Sequence, residues 1–147
     1  MAMTTLGQIH AFLPSSKLIN ISKVAAQSHV IDSISTDSRS IESGSLFIAI
    51  KGERFDAHHF LGEVSAAGAS AALIEDEQAC PNQLPAVCVA DTRMGLGDFA
   101  AAWRQQFTLP LVVVAGSNGK TTVKEMIAAI FSLSLIHISE PTRQAEI

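Results

Sequence analysis

Basic residues are in short supply: 10 Lys and Arg face 14 Asp and Glu in a chain of 147 residues, for a formal net charge of −4. A surface that grips a polyphosphate backbone over its breadth needs the opposite balance, which excludes a general nucleic-acid binder. A single nucleotide site is not excluded, because one lysine and a row of backbone amides suffice for it. Long apolar runs are also missing. Segments such as Leu111 to Ala115 fall far short of the roughly 20 residues of a membrane span, and Met1-Ala2-Met3-Thr4-Thr5 has no basic stretch leading into an apolar one. A soluble, cytoplasmic chain with no membrane span is expected. Cysteine is scarce: Cys80 and Cys88 form no C-x-x-C pair, and Cys88 alternates with Val87 and Val89 like an ordinary strand residue, against a disulfide or a zinc site. The single tryptophan, Trp103, shares a helical face with Leu96, Phe99, Ala100 and Phe107 and reads as core, not as a stacking platform.

What the chain does have is 48% hydrophobic residues arranged in short runs separated by helical periodicity. Leu46 to Ile50, Ala71 to Ile74, Ala86 to Val89 and Leu111 to Ala115 read as buried strands of an α/β protein. Phe60, Leu61, Val64 and Ala67 mark a helix between the first two, with Gly68 as its stop. A longer helix lies between the last two, with Asp91 or Thr92 near its start. Leu6, Ile9, Phe12 and Leu13 form one side of a small first helix closed by Pro14. A domain boundary is expected between Gln105 and Pro110, where one helix ends and a new apolar strand begins.

Beyond that boundary, Leu111 to Ala115 runs into Gly116-Ser117-Asn118-Gly119-Lys120-Thr121-Thr122, and then Val123, Met126, Ile127, Ile130 and Phe131 recur at helical spacing. Strand, glycine-rich turn and helix in this order make a phosphate loop. The glycines let the backbone wrap an anion, the amides at the helix start point at it, and the helix dipole adds favourable potential. Lys120 then faces the β- and γ-phosphates, and the Thr121 hydroxyl is placed to ligate Mg²⁺. The eight-residue pattern G-x-x-x-x-G-K-[ST] would need a glycine where Val114 stands, so the match is to the shorter G-x-x-G-K-[ST] form.

A second group of polar residues lies upstream: Thr36, Asp37, Ser38 and Arg39, and, after the first strand run, Lys51, Asp56, His58 and His59. Hydroxyls, an Arg, a Lys and a His at strand ends suit a phosphorylated sugar, while Asp37 and Ser38 equally suit a turn and a cap. Adjacent on a helix, His58 and His59 cannot face one metal together.

Thr36-Asp37-Ser38-Arg39, Gly44 to His58, Asp91-Thr92-Arg93 and Gly116 to Met126 resemble, in order and spacing, the Mur ligases of peptidoglycan synthesis. The Lys51-Gly52-Glu53-Arg54-Phe55-Asp56-Ala57-His58 string is most similar to the branch that joins D-alanyl-D-alanine to a UDP-N-acetylmuramoyl-tripeptide, ahead of the branch that adds the third amino acid. The resemblance implies an α/β fold in which residues 1–107 form a small domain binding the UDP-muramoyl precursor. Residues 108–132 would be the first strand, phosphate loop and helix of a truncated parallel-sheet ATPase domain. It implies ATP and Mg²⁺ as cofactors, with Lys120 and Thr121 in the catalytic role. Gly116, Ser117, Asn118, Gly119 and Thr122 join these two around the nucleotide, and Thr121 is the metal ligand. Thr36, Asp37, Ser38, Arg39, Lys51, Asp56 and His58 would surround the UDP-sugar, and a monomer is expected. After Ser132 the family pattern breaks off. Residues 133–147, Leu-Ser-Leu-Ile-His-Ile-Ser-Glu-Pro-Thr-Arg and onward, resemble a translated sequencing adapter, so the chain is expected to lack ligase activity by itself. Competing readings are a folylpolyglutamate-synthetase-like ligase, a generic phosphate-loop NTPase, and a stand-alone UDP-sugar-binding module whose loop is vestigial.

Overall fold

Two sets of apolar residues alternate along each central strand, and this period of two decides the architecture of the first unit. The computed structural model describes residues 3–133, in two units, Met1–Thr108 and Leu109–Ile147. In the first unit the order is β1 (Thr4–Thr5), α1 (Leu6–Phe12), β2 (Lys17–Ile19), α2 (Lys23–Ser28), β3 (Val30–Ile31), β4 (Ser33–Ser35), β5 (Ser45–Ile48), α3 (Leu61–Ala66), β6 (Ala71–Ile74), β7 (Ala86–Cys88) and α4 (Thr92–Gln105). Single 3₁₀ turns occupy Ser38–Ser40 and Ala57–Phe60. Five strands form one sheet in the order β2-β7-β6-β5-β4, with β4 to β7 parallel and β2 antiparallel on β7. β1 and β3 pair separately.

One face of the sheet carries Leu46, Ile48, Leu73 and Val87, packed under Leu6, Ile9 and Leu13 from the first helix region and Phe99 of α4. The other carries Phe47, Ala72, Ile74 and Ala86 against Leu61 and Val64 of α3. The strands read as continuous apolar runs because both faces are covered. Each fully buried Leu, Ile, Val or Phe contributes about 1.5–3 kcal/mol. Trp103 is half-buried at the edge of the first cluster, its ring between those of Phe99 and Phe107.

Local signals fix the helix ends. Thr5 and Gln8 form a capping box at α1, and the Asp91 carboxylate accepts from the amides of Arg93 and Met94 at 2.8 and 2.9 Å at the start of α4. Gly68, at φ +100°, turns the chain out of α3 in a conformation that a side chain would strain. Both cysteines are free thiols, and burial pushes each above its ordinary pKa. Among the described residues no helix is long and apolar enough to cross a membrane.

The expected strands at 46–50, 71–74 and 86–89 correspond to β5, β6 and β7, and the expected helices to α1, α3 and α4. The strand expected over Leu111 to Ala115 does not form. A strand exists only through its neighbours' hydrogen bonds, and none of the sheet pairings includes these residues. Leu111 and Val113 are 67% and 77% exposed. The second unit contains one helix, α5 (Lys120–Leu133). Of the tail expected at 133–147, all but Leu133 lies outside the described residues.

Candidate functional site

All the polar residues singled out in the first unit lie just past the carboxyl ends of parallel strands, where open α/β sheets bind ligands. After β4 the chain makes the Ser38–Ser40 turn, capped by the Asp37 carboxylate accepting from the Arg39 amide at 3.0 Å. The Arg39 guanidinium returns onto the same carboxylate, Nε to Oδ1 at 2.9 Å and a terminal nitrogen to Oδ2 at 2.7 Å. This two-point pairing holds the Asp37 carboxyl down to about 2. Thr36, Asp37, Ser38 and Arg39 line a cleft of about 660 Å³ whose remaining wall includes Phe47, Phe55, Phe60 and Glu63.

After β5 the chain folds back on itself. The Gly52 amide donates to the Phe55 carbonyl at 2.7 Å, and the backbones of Lys51 and Asp56 pair antiparallel across the turn. Lys51 and Asp56 line a shallower depression of about 380 Å³ with Arg54 and His59. Asp56 caps the next turn, its Oδ1 accepting from the His58 amide at 3.0 Å and facing His58 Nδ1 at 2.6 Å. His58 is 5% exposed. Its other nitrogen, Nε2, accepts from the Glu75 amide at 3.0 Å, so that nitrogen carries no proton and the ring proton lies on Nδ1, donated to Asp56. The structure therefore brings Thr36 to Arg39 together in one cleft and Lys51 and Asp56 into the adjoining hollow. His58 sits beneath, holding the turn in place with both ring nitrogens engaged.

Glu75, directly after β6, was not singled out from the sequence. Its Oε2 accepts from the Thr92 amide and hydroxyl at 3.0 and 3.3 Å, and its Oε1 lies 3.8 Å from Lys51 Nζ. A carboxylate immediately after an apolar strand is the signal that would have found it. Phe55 and Glu63 were passed over as site residues because a lone aromatic or acid in a turn or helix reads as surface, and Phe60 was read only as part of a helix's apolar face.

The His58 amide, ahead of the His58 ring, holds the Asp56 carboxyl below the ordinary carboxylate range. A depressed carboxyl stabilises the fold above the unfolded value near 4 and loses that contribution as pH falls through the folded value. Urea unfolding is accordingly expected to show a falling midpoint between pH 4 and pH 2. Asp56→Asn, which keeps an oxygen acceptor, should make that fall shallower without removing it, because Asp37 titrates in the same window.

The second unit holds the other group. Gly116 and Gly119 adopt φ of +151° and +76°, the latter a left-handed conformation that favours glycine, and α5 begins at the next residue, Lys120. Lys120 Nζ curls back to donate to the carbonyls of Gly116 and Ser117 at 2.7 and 3.4 Å. The ammonium thus lies over a loop whose carbonyls turn towards it, beside the amides that open a 14-residue helix. This donor set fits a polyphosphate. Among the described residues no group of three His, Cys, Asp or Glu is placed to hold a metal ion. The Thr121 hydroxyl would be the chain's contribution to a phosphate-bound Mg²⁺.

A parallel-sheet unit with a polar cleft at its strand ends, followed along the chain by a glycine-turn helix, places the protein among ligand-binding α/β proteins. The profile described as "Mur ligase family, catalytic domain" matches residues 30–104, and the chain belongs to the Mur ligase family. The UDP-N-acetylmuramoyl-tripeptide--D-alanyl-D-alanine ligase of Escherichia coli is 47% identical over 102 residues, which are 69% of this chain and 22% of that protein. The crystal structure of MurF from Acinetobacter baumannii (its second form) superposes with a TM-score of 0.72 at 38% identity, covering 88% of this chain and 27% of that one. MurF ligase from Thermotoga maritima, solved in complex with ADP, gives 0.57 at 31% identity, covering 68% and 23%. The chain thus spans about a quarter of the length of the relatives it matches.

Proposed function

We propose that this chain is the amino-terminal part of an ATP-dependent ligase that joins D-alanyl-D-alanine to a UDP-N-acetylmuramoyl-tripeptide in peptidoglycan synthesis. The observation that carries the reading is the likeness to the Escherichia coli ligase of that name. The strand-end cleft of Thr36 to Arg39 and the Lys120 loop supply the two binding functions such a ligase needs. Residues 1–107 are the precursor-binding domain, and residues 108–132 open the ATP-binding domain. ATP, for which the ADP complex of the Thermotoga relative speaks, transfers its γ-phosphoryl group to the terminal carboxylate of the tripeptide and ADP leaves. The amine of D-alanyl-D-alanine then forms the amide bond at that carbonyl carbon and inorganic phosphate leaves. Transfer of a phosphoryl group to a carboxylate crowds anionic oxygens together. The amides of Gly116 to Thr122 and the Lys120 ammonium offset that repulsion. The Thr121 hydroxyl would hold Mg²⁺ in part, and the ion would supply further positive charge to the phosphates. Thr36, Asp37, Ser38 and Arg39, with Lys51 and Asp56 in the adjoining hollow, surround the UDP-sugar, and His58 fixes their frame. A nucleotide-linked precursor as substrate goes with a cytoplasmic enzyme.

Calorimetry tests this. The 147-residue chain is expected to bind the UDP-muramoyl tripeptide without ATP, and Arg39→Ala should weaken that binding on the order of 10-fold, the value of a charge-assisted contact. The same chain should release no ADP when given ATP and both substrates. Absence of precursor binding by the folded chain would overturn the reading.

A further inference from the structure

We propose that Phe55 is the platform on which the base of the nucleotide-linked ligand stacks, which rests on the precursor-pocket reading and extends it to a residue and a ligand group. Phe55 is 60% exposed, and single exposed apolar side chains are ordinary. Three features set this one apart. The turn that carries it is fixed: the Gly52 amide holds the Phe55 carbonyl, and the Lys51–Asp56 backbone bridge and the Ala57 amide on the Ile50 carbonyl at 3.1 Å close the main chain beside it. The ring is backed on one side by Phe60, with ring centroids 5.6 Å apart at 21°, and Phe60 packs into the core cluster of the second sheet face. It also stands in the wall shared by the cleft and the depression.

Charge sorts the two hollows. In the cleft, Asp37 and Glu63 face a single cation, Arg39, whose guanidinium is already paired with both Asp37 oxygens. That environment repels an anion and suits an uncharged planar ring with N–H donors and carbonyl acceptors. The depression holds Arg54 and a Lys51 that lies 3.8 Å from Glu75 against Glu53 and an Asp56 engaged by His58, so the cations open to phosphate oxygens are on that side. A pyrimidine base laid on the open part of Phe55 would meet the hydroxyls of Thr36 and Ser38. Stacking accepts any base, and the choice among bases then falls to these polar groups.

The test uses the 147-residue chain with UMP and with ribose 5-phosphate, which keeps the phosphate and lacks the base. Wild type is expected to bind UMP more tightly than ribose 5-phosphate. Phe55→Ala should lose on the order of 10-fold in UMP affinity, with ribose 5-phosphate binding unchanged. Phe55→Trp should retain UMP binding, and its added emission should fall with UMP but not with ribose 5-phosphate, against the constant signal of Trp103. If Phe55→Ala binds UMP as wild type does while Ser38→Ala or Arg39→Ala weakens it, the platform is wrong and the pocket reading stands. If UMP and the UDP-muramoyl tripeptide both fail to bind the folded wild-type chain, both are wrong.

Discussion

Phe47→Ala is expected to destabilise the first unit by about 3–5 kcal/mol, the cost of deleting a buried aromatic ring and leaving its cavity. Phe47 is fully buried in β5, a strand covered on both faces, with Leu61 and Val64 of α3 in the same cluster. Domains of this size are stable by about 5–15 kcal/mol in all, so one substitution removes a large share. Urea unfolding followed by far-UV circular dichroism would register a lower midpoint at unchanged slope. Phe47→Leu, closer in volume, should cost less than about 1.5 kcal/mol, and Phe55→Ala, which loses only an exposed stack on Phe60, about 0.5–1.5 kcal/mol. The contrast between the two phenylalanines separates packing from binding. A Phe47→Ala chain as stable as wild type would mean that the sheet is not the core described.

Lys120→Ala carries the largest functional effect on the proposed reading. In a ligase containing this segment together with its remaining domains, ligation should slow on the order of 10²–10³-fold, as when one preorganised donor is removed from a developing oxyanion. The partners of Lys120 Nζ are the exposed loop carbonyls of Gly116 and Ser117, so fold stability should not change. ADP release measured with both substrates present checks the first point, and a thermal melt the second. Loss of less than a few-fold in rate would move the phosphoryl site elsewhere.

The central sheet was legible because β5, β6 and β7 are apolar on both faces and bounded by polar turns. α3 and α4 were legible because their apolar positions recur at helical spacing and Gly68 and Asp91 mark an end of each, and α1 because Leu6, Ile9, Phe12 and Leu13 share one side ahead of Pro14. β1 to β4 were not, since Thr4–Thr5, Lys17–Ile19 and Ser33–Ser35 are polar or mixed and Val30–Ile31 is only two residues long, and α2 buries only Ala26. Leu111 to Ala115 was misread for the opposite reason: its composition says strand, but pairing is a property of neighbours and not of the segment. In the cleft, Thr36 to Arg39 and the turn at 51–56 could be picked out as polar residues at strand ends. That His58 points inward could not, because its burial depends on the Glu75 amide 17 residues away. Asp37 has both of the roles the sequence left open, capping its turn and lining the cleft.

Glu75 has a mechanical consequence. Its amide anchors His58 under the 51–56 turn while its carboxylate fastens Thr92 at the first turn of α4. One residue therefore works as a cross-brace between the lip of the hollow and the helix through which the chain leaves the sheet. A ligand that draws the lip inward must pull on the root of that helix as well.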